Sequence, residues 1–301
     1  MKVLVAGAGG YIGARTAARF RSIPGATVRG LGRRLAGEPP LDLATDEAGL
    51  RTAFLEFQPD VIVNAAGTIS THIASCVAAH VDVTANLLMI ASELAPGARF
   101  VQLGSAAEYG DAVREPDAIH EDTLPQPQGA YGISKLAATL LATREGSSRG
   151  LHAIALRVFN LVGPDMTPGT IFPNVVRFLR EPGRRASDPL VVGTLDTWRD
   201  FVHIDDVVSS IVAAATVPET RLASGSIINI ASGQAVRVHD VVRRLLDAAG
   251  HVGPIEERAS GSGRSAGVRW ALGDNRRAFE RLGWRPQKPL ATALGELAAR
   301  D

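Results

Sequence analysis

The chain of 301 residues contains one cysteine, Cys76. No intramolecular disulfide is therefore available, and the composition fits a reducing, cytoplasmic compartment. Charge of either sign is not in excess: the formal net charge is +1 at pH 7. A balanced surface provides no general attraction to nucleic acid or to an anionic membrane. Read residue by residue, no uninterrupted apolar run approaches the roughly 20 residues that span a bilayer. The opening MKVLVAGAGG has an apolar stretch too short for a secretory core, and it ends in glycines. The seven histidines show no HExxH or comparable spacing, so no metal site is expected. Internal repeats and long low-complexity tracts are missing too. What remains, with hydrophobic residues at 46% and charged residues at 21%, is an ordinary globular composition long enough for a sizeable core.

Short apolar runs alternate with longer amphipathic ones through the first half. Strands are expected at Lys2 to Ala6, Thr27 to Leu31, Val61 to Asn64, Phe100 to Leu103 and Ala153 to Val158. Helices are expected at Tyr11 to Arg21, near Asp46 to Phe57, at His72 to Leu94 and at Tyr131 to Thr143. Apolar strands separated by helices indicate a parallel sheet covered on both faces. Right-handed crossovers make this an α/β, doubly wound Rossmann sheet. Its ligand lies beyond the carboxyl ends of the strands. After Gly163 proline and glycine become dense. Residues 1–163 read as the dinucleotide-binding domain. Residues 164–301 read as a smaller C-terminal substrate lobe, with a segment near 200–232 returning to the first domain. This half includes a strand at Ser226 to Ile230 and a helix at Val238 to Ala249.

The first strand runs into Gly7, Gly10 and Gly13, which enclose Tyr11 and Ile12. One glycine allows the tight turn, one lets backbone approach a pyrophosphate, and one lets the helix pack close to the sheet. Phosphates then meet free N–H groups at a helix start. An acidic residue after the second strand would hold the ribose hydroxyl of NAD. Arg33 and Arg34 stand there instead and favour the 2′-phosphate of NADP, with NAD as the second choice. Asp42 and Leu43 are candidate adenine-side contacts. Asn64, Ala65, Ala66 and Gly67, at the end of a strand, are placed against the cofactor.

Tyr131 and Lys135 are four residues apart, so a helix puts them on one face about 6 Å apart along its axis. A tyrosine ionises at about pH 10 in water, and a neighbouring ammonium favours the phenolate. Such a pair exchanges a proton with a carbonyl or an alcohol near neutral pH. Ser105 follows the strand Phe100 to Leu103, and its hydroxyl is placed to bind the same substrate oxygen. The alternative, an exposed pair of no consequence, is weakened by the presence of all three residues with the glycine loop.

GAGGYIG, GSAAEYG, YGISK, RVFNLVGP, RDFVHIDDV, INIASG and LGWRP occur in this order over nearly the whole chain. Together they resemble the extended short-chain dehydrogenases/reductases, the NAD-dependent epimerase/dehydratase family of nucleotide-sugar enzymes. The resemblance implies Ser105, Tyr131 and Lys135 as catalytic residues, with Asn160, Arg199 and Arg264 holding the diphosphate of a nucleotide-sugar substrate. It also implies a homodimer built on the helices near 72–94 and 131–146. Where related 4,6-dehydratases carry an Asp-Glu pair, this chain has Ala106 and Ala107, so water elimination lacks its acid and base. His80 stands where the family usually has Asn. The nearest look is to reductases of 4-keto-6-deoxy sugars. A 4-epimerase using the same residues and NAD, and a non-catalytic dinucleotide sensor, are the alternatives. His203 is expected to be structural, and Asp205 and Asp206 to cap the following helix.

Overall fold

The computed structural model describes residues 1–35, 40–166, 168–258 and 267–299. It opens with β1 (Lys2–Ala6), α1 (Tyr11–Arg21), β2 (Thr27–Leu31), α2 (Glu47–Phe57) and β3 (Val61–Asn64). Side chains of β1 alternate between two cores: Val3 and Val5 enter one, Leu4 and Ala6 the other. Both faces of the strand are covered, so its sequence is continuously apolar. Helix α1 buries Thr16, Ala17 and Phe20 against the sheet, and Arg19 and Arg21 in its last turn complement the helix dipole. Asp46 caps α2 by accepting from the Gly49 amide at 2.9 Å.

Helix α3 spans Ile73–Leu94 and includes a π-helical segment at Val77–Asp82. At 22 residues it is, by length and composition, apolar enough to cross a membrane. A residue-by-residue reading breaks that run at His80, Asp82, Asn86 and Glu93. In the fold, Val83, Leu87, Leu88, Ile90 and Ala91 of this helix are buried in the core.

Strand β4 (Arg99–Ser105) follows, then a 3-10 turn at Ala106–Glu108, then α4 (Gly129–Leu140), which runs on into a π-helical turn at Leu141–Gly146. Next come β5 (His152–Val158), β6 (Asn160–Val162), α5 (Ile171–Leu179), β7 (Leu190–Val192), β8 (Trp198–His203) and α6 (Ile204–Thr216). The chain then forms β9 (Ser226–Ile230), β10 (Ala235–Arg237), α7 (Val238–Ala248), β11 (Ile255–Glu257), β12 (Trp270–Ala271), α8 (Arg276–Leu282) and α9 (Leu290–Ala299).

The main sheet has the order β2-β1-β3-β4-β5-β9, and every pairing is parallel. This is a Rossmann-like α/β fold. The chain steps outward from β1 to β2, then reverses across β1 to β3. The reversal leaves a crevice beyond the carboxyl ends of β1 and β3, where such sheets bind ligands. A smaller sheet joins β10, β8 and β12, with β6 also paired to β8, and β7 pairs with β11. Phe172, Phe201, Val241, Leu245 and Leu294 form the core of this second part. Strand β9 crosses back into the main sheet, where Ile228 and Ile230 join its core.

One local expectation is corrected. Helix α6 is capped by His203, whose Nδ1 accepts from the Asp205 amide at 3.1 Å. Asp205 and Asp206 lie one step further, in the first turn. Asp206 instead accepts from the Gln287 and Lys288 amides at 3.0 and 2.9 Å, tying down the segment before α9.

Candidate active site

One cleft of about 2950 Å³ runs from the glycine loop, past the ends of β3 and β4, to β7 and β8. Gly7, Gly10, Tyr11 and Ile12 line its first end. Gly7 has φ +77°, and a Cβ on Gly13 would lie 2.1 Å from the Gly7 carbonyl oxygen. Only hydrogen fits at Gly13, so α1 begins directly beneath the loop. No side chain caps α1 at Gly10. Its first-turn N–H groups therefore remain available for an anion. These features fit a dinucleotide diphosphate.

Arg33, Arg34, Asp42 and Leu43 line the same end of the cleft. Arg33 lies 3.7 Å from the Asp42 carboxylate. Of the four residues after β3, Ala65, Ala66 and Gly67 line the cleft. Asn64 departs from the expectation. It is buried, its amide donates to Thr84 Oγ1 and Gln102 Oε1 at 3.0 and 2.9 Å, and its carbonyl accepts from the Ala66 amide. It shapes the loop from within the sheet and does not face the cleft, because its polar atoms are consumed by α3 and β4.

Ser105, Tyr131 and Lys135 all line the middle of the cleft. Ser105 ends β4, and its hydroxyl accepts from the Ala107 amide at 3.2 Å. Tyr131 and Lys135 share one face of α4. Gly132, between them, permits the helix to approach: a Cβ there would lie 2.5 Å from the Ala107 carbonyl oxygen. Lys135 is buried, and its ammonium donates to the Leu103 carbonyl at 3.0 Å. Burial lowers its ionisation to about 8, opposed by the charge of Glu108. Such a lysine is still largely charged near neutral pH, while costing little to deprotonate.

His80 sits beside this pair. Its ring meets Tyr131 edge to face, with centroids 5.5 Å apart. Nδ1 lies 2.8 Å from Ser134 Oγ, and Nε2 contacts the Thr68 amide and carbonyl at 3.2 and 3.1 Å. Burial, then the charge of Lys135, pushes its ionisation down to about 3. The imidazole is thus neutral and holds the Thr68 loop to α4. The sequence pointed to this position as a departure, without this contact.

At the far end, Asn160 and Arg199 line the cleft. Asn160 donates to the Asp200 carbonyl at 3.0 Å. Arg199 is buried, and its guanidinium donates to the Trp198 and Val268 carbonyls, each at 2.7 Å. Desolvation pushes its ionisation down to about 10. Among the described residues no carboxylate pairs with it, so an anion entering the cleft would complete it. Arg264 lies outside the described residues.

Two residues went unnoticed in the sequence. Asp200 is buried, and it accepts from Ser232 N and Oγ and from the Gly233 and Gly273 amides. It ties two segments, Ser232–Gly233 and Gly273, to β8 at the Arg199 end; the acidic residue inside RDF was the available signal. Glu108, inside GSAAEYG, is completely buried beneath Ser105. Among the described residues, no group of three or more His, Cys, Asp or Glu side chains could hold a metal ion.

Comparison with known proteins bears on this geometry. The model of the NAD dependent epimerase/dehydratase family matches residues 3–231. The dTDP-6-deoxy-L-talose 4-dehydrogenase (NAD(P)(+)) of Kitasatospora kifunensis is 29% identical over 306 residues, covering 98% of this chain and 94% of that protein. The GDP-6-deoxy-D-mannose reductase of Pseudomonas aeruginosa is 27% identical over 212 residues, covering 70% of this chain and 68% of its own length. The solved structure of MoeE5 in complex with UDP-glucuronic acid and NAD superposes with a TM-score of 0.83 at 26% identity, over 98% of this chain and 97% of that one.

Proposed function

Since the chain belongs to the NAD dependent epimerase/dehydratase family, we propose that it is an NAD(P)-dependent oxidoreductase of nucleotide-linked sugars that reduces the C4 ketone of a 4-keto-6-deoxyhexose. The observation that carries this reading is the cleft itself. It brings a dinucleotide-type glycine loop, the Ser105/Tyr131/Lys135 set and a buried arginine that has no carboxylate partner among the described residues into one continuous space.

The glycine loop and the start of α1 hold the dinucleotide phosphates, and Arg33 and Arg34 favour NADP over NAD. Bound reduced nicotinamide supplies the hydride. Tyr131 gives its phenolic proton to the oxygen of the ketone as that oxygen gains negative charge, and Ser105 donates a hydrogen bond to the same oxygen. Lys135 stabilises the resulting phenolate through its charge. Arg199 and Asn160 hold the nucleotide diphosphate, which fixes the sugar relative to Tyr131. Ala106 and Ala107 leave no acid–base pair for dehydration. Similarity to a GDP-6-deoxy-D-mannose reductase and a dTDP-6-deoxy-L-talose 4-dehydrogenase supports a 6-deoxy sugar.

The experiment is NADPH or NADH oxidation by the purified protein with dTDP- and GDP-4-keto-6-deoxyhexoses. Turnover that falls by about 10²–10⁴ in Tyr131→Phe, with cofactor binding intact, is the expected result. No net oxidation, with NAD retained through purification, would replace this reading with a 4-epimerase. Neither turnover nor bound cofactor would leave a dinucleotide sensor.

A homodimer through α3 and α4 belongs to the same proposal. Ile73, Val77, Met89, Ile133 and Leu140 are exposed along these helices, and packing two copies would cover them. A monomeric mass by light scattering would end it.

A further inference from the structure

Beneath the candidate active site lies an ion pair that the proposed reaction does not use. Glu108 is fully buried and Arg157 is 2% exposed, with Arg157 Nε 2.7 Å from Glu108 Oε2. Glu108 Oε1 also accepts from the Ser105 amide at 2.8 Å and from Thr139 Oγ1 at 2.9 Å. Arg157 and the Ser105 amide can only donate, and the Thr139 hydroxyl is placed to donate as well. Burial pushes this carboxyl upward, while the charge of Arg157 and these hydrogen bonds act against burial and favour the carboxylate. The pair costs desolvation and is weak evidence for stability in itself. Its position calls for a different account.

Each of the three contacts is to a segment of the candidate site. Ser105 ends β4. Thr139 is one turn beyond Lys135, on the same side of α4. Arg157 is on β5, and its guanidinium stacks 4.5 Å from the centre of the Tyr109 ring. Space is kept for the carboxylate: a Cβ on Gly104 would lie 2.5 Å from Glu108 Oε1. Lys135, whose ammonium is on the neighbouring Leu103 carbonyl, is charged and buried close by.

We propose that Glu108 is a positioning residue of this site, its carboxylate clamping the backbone of Ser105 and keeping the buried Lys135 protonated. This rests on the proposed reaction, in which Lys135 acts as a cation beside Tyr131. Among the described residues the groups facing Lys135 are few. His80 approaches from α3 and is neutral, Tyr131 precedes it by one turn on α4, and Glu108 approaches from the turn after β4. Arg157, on β5, is spent on Glu108. Glu108 is thus the anion that offsets the burial of Lys135; burial without one drives lysines to about 5–6.

The chain makes the test direct, because it contains three lysines, Lys2, Lys135 and Lys288. With isotopically labelled lysine, NMR signals are assigned through Lys2→Arg and Lys288→Arg, and Lys135 is titrated in the full-length protein. The expected wild-type midpoint is about 8. Glu108→Gln is expected to lower it by about one pH unit or more. Glu108→Asp, which keeps the charge, restores it. Thr139→Val, which removes a hydrogen bond without a charge, leaves it in place. In turnover, Glu108→Gln shifts the pH profile of kcat to the acid side, which a purely structural loss of stability would not do.

An unchanged Lys135 midpoint in folded Glu108→Gln overturns the proposal. If that variant does not fold, a wild-type midpoint at or below about 6 overturns it equally, since the carboxylate would then give no support. The NMR readout is independent of turnover. A wild type that reduces no sugar, yet shows the expected titration in wild type and variants, would defeat the proposed reaction and leave the role of Glu108 toward Lys135 standing.

Discussion

Replacing Arg199 with Met separates a ligand-binding arginine from a structural one. In the ligand-free fold its guanidinium is buried, with two carbonyl acceptors and no carboxylate partner among the described residues. Its ionisation falls to about 10 from the usual value above 12, which corresponds to about 3 kcal/mol held against the charged form. Two hydrogen bonds from a charged donor give back about 1.5–3 kcal/mol each. The two bonds together return about 3–6 kcal/mol, which offsets the desolvation and leaves a surplus of about 0–3 kcal/mol, and Met fills most of the arginine stem's volume. Arg199→Met is therefore expected to lower unfolding stability by no more than about 3 kcal/mol. Binding behaves differently. A diphosphate facing the vacated site loses a desolvated charge pair, worth about 2–5 kcal/mol, or roughly 30- to 5000-fold in affinity. The assays are denaturant unfolding of the free protein and calorimetric titration with UDP, dTDP and GDP. Stability falling by more than about 3 kcal/mol, with nucleotide affinity unchanged, would refute the argument and make Arg199 a structural tie between β8 and the segment before β12.

Gly13→Ala places a methyl 2.1 Å from the Gly7 carbonyl oxygen; about 1–3 kcal/mol of stability is expected to be lost, together with dinucleotide binding, as followed by thermal unfolding and NADPH fluorescence. Wild-type binding by that variant would mean that the loop and α1 separate freely. Arg33→Ala combined with Arg34→Ala is expected to reduce the preference for NADPH over NADH by about tenfold or more, and an unchanged ratio of KM values would place both side chains in solvent. His80 titrates at about 3 when folded and at about 6.5 when unfolded. Below pH 6.5 the unfolded chain therefore binds the extra proton, and stability falls as pH drops from there toward 3. At pH 5.5 the loss is about 1.4 kcal/mol. Denaturant melts across this range should show that slope, and it should flatten in His80→Gln; a slope identical in the variant would assign it to other groups.

Much of the protein was legible in local sequence. Strands β1 and β3 are nearly continuous apolar runs because both of their faces are buried, and they coincide with their expected bounds, as do β2 and β9. The glycine spacing and the Tyr131–Lys135 interval carry their meaning within a few residues, since a turn and a helical repeat are local geometry. Other features had no local signal. Asn64 was expected to face the cofactor, yet its partners are Thr84 and Gln102, residues of α3 and β4 that only sheet assembly brings near. The α6 cap went to His203 over the two aspartates because the backbone leaves β8 in an extended conformation at that residue.

What the sequence determined alone was the order of the elements in the first half, the dinucleotide loop and the helical face bearing Tyr131 and Lys135, because each depends on periodicity over one or two turns. Only the tertiary structure decided which charges are paired. Glu108 meets Arg157 across 49 residues and Arg199 meets no carboxylate among the described residues. Pairing inside a low-dielectric core depends on distances that chain separation does not encode.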